Sequence, residues 1–92
     1  MVNHKKIYIT EMDYAEGENI PCEMCYKIAV DIHHITPRGM GGSKCKDYIE
    51  NLIALCRECH IKAENEKQYN NMCRIQHLIN IIRKLENDST IR

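Results

Sequence analysis

Two cysteine pairs, Cys22-Glu-Met-Cys25 and Cys56-Arg-Glu-Cys59, carry the clearest chemistry in the chain. Two residues between thiols let a tight turn present both sulfurs to one ion, and two such knuckles complete the tetrahedron that zinc prefers. Four thiolates leave no open position, so this zinc is expected to stabilise the fold and take no part in catalysis. Cys45 and Cys73 lack a partner at that spacing and read as a loop thiol and a small core residue. A second group of reactive residues lies between and just beyond the knuckles. It comprises Asp31-Ile-His33-His34-Ile-Thr-Pro37, then Gly41-Gly42, Asn51-Leu52, and Leu55-Cys56-Arg-Glu-Cys59-His60 with Glu64 four residues later. On a helix, His60 and Glu64 would share one face roughly 6 Å apart, which suits two ligands of one ion.

These residues need elements to position them. Residues 1–19 are polar, with Ile7, Tyr8 and Ile9 as their strand-like apolar cluster, and read as an arm or an edge strand. From Lys27 to Ile35 the residues Ile28, Ala29, Val30, Ile32 and Ile35 favour a short strand, broken by Pro37 and the cluster Gly39, Gly41, Gly42, Ser43. Leu52 to Leu55 form a second strand-sized run, and Arg57 to about Gln68 has helix formers without a breaker. Asn70 and Asn71 mark an end or a joint. Met72, Ile75, Leu78, Ile79, Ile82 and Leu85 then recur at threes and fours, one apolar stripe on a further helix. In so small a domain the stripe is expected to cover the core. A metal at His60 and Glu64 would draw its other ligands from the facing hairpin, whose first strand carries His33 and His34. Adjacent residues on a regular strand point to opposite faces, so both rings can line one site only where the strand becomes irregular, as Pro37 and the glycines imply.

Composition limits the alternatives. A chain of 92 residues is one domain with a small core, and five Tyr without Phe or Trp supply little aromatic bulk, so a covalent or metal staple is expected. Met1 to Thr10 lacks the apolar run of a signal peptide and no later stretch approaches a membrane span, which points to the cytoplasm, where thiols stay reduced and paired cysteines bind metal. Thirteen Lys or Arg balance thirteen Asp or Glu, which excludes a globally basic domain. The local positive excess falls on residues 26–48, where Arg38, Lys44 and Lys46 flank the glycines as candidate phosphate contacts.

Taken together, His-Ile-x-Pro, Gly-Gly, Asn-Leu and Cys-x-x-Cys-His resemble the HNH endonucleases whose two cysteine knuckles frame a ββα-metal fold. The resemblance runs from about Pro21 to Glu64. It implies an α+β domain of the ββα-metal (His-Me finger) type, stapled by a four-cysteine zinc and extended by a C-terminal helix. Residues 1–19 would form the arm, 20–69 the knuckles and core, and 70–92 the last helix. It also implies roles: His33 and His60 as ligands of a catalytic divalent ion, His34 as general base, and Asn51 as the brace of the long loop. Glu64 departs from the family pattern. As a harder ligand it would tilt the site towards Mg²⁺ or Mn²⁺.

The expected activity is hydrolysis of DNA phosphodiester bonds, nicking or cutting, by one metal ion and a histidine base. Asp31 reads as a strand-edge or supporting residue, and His4 and His77 as bystanders. Two other readings stand beside the nuclease: a catalytically silent zinc-stapled module that binds nucleic acid, and a small adaptor that docks through its last helix. Phages, mobile elements and restriction systems are all fitting carriers of so small a nuclease, and because no helix-turn-helix or further DNA-reading module fits in the remaining residues, weak sequence preference or a separate targeting protein is expected.

Overall fold

The computed structural model describes residues 3–37 and 46–90, without the side chains of 88–90. Arg38, the glycines 39, 41 and 42, Ser43, Lys44 and Cys45 therefore lie outside the described residues. The element order is α1 (His4–Glu11), β1 (Asp31–His34), β2 (Leu52–Leu55), α2 (Arg57–Asn65) and α3 (Lys67–Thr90), an α+β arrangement.

The N-terminal segment is a helix, not the expected arm or strand. Asn3 caps it, its side-chain oxygen accepting the Lys6 N–H at 2.9 Å, which satisfies one of the donors left open at a helix start. The helix stops at Met12, and Asp13 takes a left-handed conformation at φ 61° that acidic and amide side chains tolerate best. Tyr8, at the helix centre, is fully buried, and its packing against the sheet decides the conformation of a segment whose local sequence is ambiguous.

Strands β1 and β2 pair antiparallel with Asp31 opposite Leu55, Ile32 opposite Ala54, His33 opposite Ile53 and His34 opposite Leu52. Every residue of β2 is buried, because the strand has protein on both faces. Ile53 and Leu55 pack with Cys22, Ile35, Cys56, Cys59, Ala63 and Cys73, whereas Leu52 and Ala54 pack with Tyr8 and Ile20. Alternation along the strand thus divides a small core in two, with α1 covering one side and α2 and α3 the other. β1 is shorter than expected: Ile28 meets Pro21 in an isolated bridge, and the ladder proper begins at Asp31.

Two further expectations are corrected on the C-terminal side. α2 ends at Asn65, with Glu66 extended at φ −125°, and α3 runs without interruption through Asn70 and Asn71. The break falls there because Asn70 is needed inside α3, where its side chain reaches back to the Ile35 carbonyl at 2.8 Å. The apolar stripe of α3 does not cover the core either: Met72, Ile75, Ile82 and Leu85 are each more than half exposed. The face of α3 that packs inward carries Cys73 and His77, both completely buried.

His77 is consequently no bystander. Its Nδ1 donates to both Glu23 carboxylate oxygens, at 2.8 and 2.9 Å, and its Nε2 donates to the Ile49 carbonyl at 2.6 Å. Tyr8 Oη donates to the same carboxylate at 2.6 Å and Asn80 Nδ2 at 2.9 Å. Burial alone would raise the Glu23 carboxyl pKa, but His77, Tyr8 and Asn80 hold it below the ordinary value, so it stays charged. Since Glu23 lies inside the first cysteine knuckle, this cluster ties α1 and α3 to that knuckle.

Candidate metal and catalytic centre

The first knuckle folds as a turn, with the Tyr26 N–H donated to the Cys22 carbonyl at 2.9 Å. The second is made where β2 runs into α2, so Cys56 precedes the helix and Cys59 sits in its first turn. Cys22, Cys25, Cys56 and Cys59 thereby converge, their sulfurs all within 4.8 Å of one another and those of Cys25 and Cys56 3.6 Å apart. Four sulfurs around a zinc at about 2.3 Å would be spaced by about 3.8 Å, so the chemistry and the size of this cluster fit that ion. Burial acts to raise the Cys22 thiol pKa, but backbone N–H groups of Cys56, Met24 and Cys25 outweigh it and bring the thiol to about 7. Tyr69 Oη donates to the Cys59 sulfur at 3.3 Å, a further contact to the cluster from α3.

A second group of ligand atoms forms beside the first. One atom each from His33, His60 and Glu64 lies within 4.8 Å of the other two. β1 supplies His33 and α2 supplies the i,i+4 pair, so the three meet where the strand crosses the helix. The His60 Nδ1 faces the Asp31 carboxylate at 2.9 Å and its Nε2 lies 3.3 Å from Glu64 Oε2, so an N–H donated from Nδ1 to Asp31 leaves Nε2 as the nitrogen that can ligate an ion beside Glu64. His33 is 8% exposed, and burial depresses its imidazole pKa, keeping the ring neutral and able to ligate. Asn70 fixes this ring: its Nδ2 is spent on the Ile35 carbonyl, so its Oδ1 accepts from His33 Nε2 at 2.8 Å.

His34 stands outside the three-ligand group. Its Nε2 meets Asp47 Oδ1 at 2.7 Å, and its ring lies 4.6 Å from that of His4 in α1, centroid to centroid. It nevertheless lines the same groove as His33, His60, Glu64 and Asn70, a space of about 570 Å³. The two adjacent histidines at the end of β1 thus line one groove, but only His33 belongs to the three-ligand group. Asn51 is fully buried directly below, accepting the Thr36 N–H at 2.7 Å and donating to the carbonyls of Thr36 at 2.9 Å and Lys46 at 3.0 Å. It holds the two ends of the long loop together across the strand pair.

The match to a family description, HNH endonuclease, covers residues 22–66. The chain carries an HNH endonuclease domain. No curated protein and no solved structure matches the chain. An HNH domain points to a nuclease and to a nucleic-acid substrate, and the matched span takes in both knuckles, His33, His34, Asn51, His60 and Glu64. α1 and the whole of α3 lie beyond it, yet they bring Tyr8, His4, Asn70 and His77 against the HNH domain. Among the described residues no helix is long and apolar enough to cross a membrane.

Asp47 and Asn70 are the site residues that sequence reasoning missed, and His77 is a structural one. None of them stands at a spacing that signals its role. Asp47 lies 13 residues from His34 across the long loop, and Asn70 lies 37 residues from His33 on a different helix. Asp31, read as a supporting residue, does support His60.

Proposed function

We propose that the protein is a metal-dependent endonuclease that hydrolyses DNA phosphodiester bonds with one catalytic divalent ion and His34 as general base. The observation that carries this reading is the convergence of His33, His60 and Glu64 within 4.8 Å, in a groove that His34 also lines. In this reading the four-cysteine cluster holds zinc and remains structural.

His34 takes the proton from the attacking water, a step that typically contributes about 10²- to 10⁴-fold. Asp47 accepts from His34 Nε2, which orients the ring, leaves Nδ1 as the nitrogen that takes the proton, and stabilises the imidazolium that forms. Asp31 and Asn70 do the corresponding work for His60 and His33, fixing one nitrogen of each ring so that the other is available as a ligand. A divalent ion held by His33, His60 and Glu64 would polarise the scissile phosphate and neutralise charge developing in the transition state. The carboxylate of Glu64 favours a hard ion, Mg²⁺ or Mn²⁺. A second ion would call for bridging carboxylates, and Asp31, the nearest candidate, is already engaged with His60. Asn51 keeps the loop closed, while Lys46 at its far end, with Arg38 and Lys44, supplies cations for the backbone of the DNA.

The test is a plasmid-nicking assay across divalent ions, with zinc content measured in parallel, on wild type and His34→Ala. Cleavage that depends on Mg²⁺ or Mn²⁺ and disappears in His34→Ala, with zinc content unchanged, is the expected result. Undiminished cleavage in the variant would remove His34 as base. Salt-sensitive DNA binding without cleavage under any ion would replace the nuclease by a binding module.

A further inference from the structure

The exposed stripe on α3 has a property that a partner of unrelated sequence would not require: its spacing reads the same from either end. Met72, Ile75 and Leu78 are followed by Ile79, Ile82 and Leu85, with the centre of the pattern between Leu78 and Ile79. We propose that this face pairs with the same face of a second copy of the chain, α3 against α3, antiparallel about a two-fold axis at Leu78 and Ile79. In that arrangement Ile75 of each copy meets Ile82 of the other, and Met72 meets Leu85. A two-fold contact is self-complementary by construction, and mirrored spacing along a helix is what an antiparallel one demands.

At about 100° per residue the stripe points away from the side of α3 that carries Cys73, His77 and Asn80, so the fold's own core leaves it uncovered. The outer members are 54 to 60% exposed and the central pair, Leu78 and Ile79, 37% each. The six side chains together present on the order of 500 Å² per copy, so a pair would bury on the order of 1,000 Å², the lower bound for a specific interface. The ends of the stripe match as well. Asn71 precedes Met72 and Glu86 follows Leu85, on the same face, so the pairing sets an amide donor opposite a carboxylate at each end of the contact. Polar residues at both edges of a self-matching apolar seam fix its register.

The measurement is sedimentation equilibrium of the full zinc-loaded chain, with circular dichroism and zinc content as controls for folding. Wild type is expected at the mass of two chains. Ile75→Lys and Ile82→Glu are each expected at the mass of one, with unchanged circular dichroism because both positions are exposed. An equal mixture of the two variants is expected to regain the two-chain mass, since the antiparallel register sets position 75 of one against position 82 of the other. A wild type that stays at one-chain mass up to about 100 µM, weaker than a useful association, would overturn the proposal and leave the face to a different partner. A two-chain mass for either variant alone, or a mixture that remains at one-chain mass, would overturn it equally. None of these readings depends on nuclease activity.

Discussion

Replacing Tyr8 by Phe deletes one oxygen and leaves the packing of α1 intact. The ring is fully buried between α1 and β2, and its hydroxyl donates at 2.6 Å to Glu23, a carboxylate only 8% exposed. Because Glu23 is held charged, the lost hydrogen bond is a charge-assisted one, worth about 1.5–3 kcal/mol. His77 and Asn80 still donate to the carboxylate, so the charge does not become an orphan and the larger cost of an unpaired buried ion is avoided. For a domain of this size that loss corresponds to a fall in melting temperature of roughly 6–24 °C. The assay is urea unfolding at a fixed excess of zinc, since an ion released on unfolding would otherwise set the midpoint by its concentration. The nicking rate at a temperature where both proteins are folded should be unchanged, because Tyr8 does not line the groove of His33 and His34. A stability loss below about 0.5 kcal/mol, the range of ordinary surface substitutions, would refute the reasoning: either Glu23 is solvated or α1 does not dock where it is described.

The remaining predictions concern the two candidate metal groups and the loop that Asn51 closes. Chelation of zinc, or Cys25→Ser, should abolish the cooperative unfolding transition and the helical circular dichroism together, as expected where metal binding is folding free energy; a chelated protein that keeps its fold would reject the structural role. Asp31→Asn should weaken binding of the catalytic ion by about 10- to 100-fold with zinc content unchanged, read by titrating Mn²⁺ into the nicking assay; an unaltered titration would remove Asp31 from the site. Asp47→Asn should lower the maximal nicking rate by a similar factor of about 10 to 100 without moving the metal titration. Asn51→Ala strips partners from the Thr36 N–H and from the carbonyls of Thr36 and Lys46, so thermal unfolding should report a loss of about 3 kcal/mol or more.

What was legible in the sequence is what chemistry and periodicity write locally. The bounds of β2 could be read from Leu52 to Leu55, because a run of four apolar residues between Asn51 and the second knuckle has no other use. The four sulfurs could be read from spacing, and His60 with Glu64 from one helical turn. α1 could not: Ile7-Tyr8-Ile9 suits either a strand or a helix, and the decision rests with a capping Asn3 and a tertiary pocket for one tyrosine ring. The joint between α2 and α3 was misplaced for a similar reason. Asn70 and Asn71 are poor helix formers by propensity, but the bonds from Asn70 to His33 and Ile35 exist only once α3 has packed, and tertiary contacts override the local preference. The stripe of α3 was recognised as a stripe but assigned to the wrong side, since periodicity tells which residues share a face and not which of two faces turns inward. The inward face is marked by Cys73, His77 and Asn80, and the polar character of His77 and Asn80 hides it from a hydrophobicity pattern.

The four-cysteine cluster and the proposed catalytic group are adjacent in sequence as well as in space, and this sets how the one serves the other. Cys59 and His60 are consecutive residues in the first turn of α2, so an ion that fixes the sulfur of one also fixes where the ring of the other begins. On the opposite side, Glu23 between Cys22 and Cys25 anchors α3 through His77 and Asn80, and the same helix carries Asn70 to His33. Both histidine ligands of the proposed catalytic ion are therefore positioned by groups rooted in the knuckles, His60 through α2 and His33 through α3. In a core with no Phe or Trp, packing alone offers little to hold such a site to the roughly 0.5 Å that catalysis needs. Four thiolates closed on a zinc would provide that rigidity, which would make the zinc indispensable to the proposed activity without its ever touching the substrate.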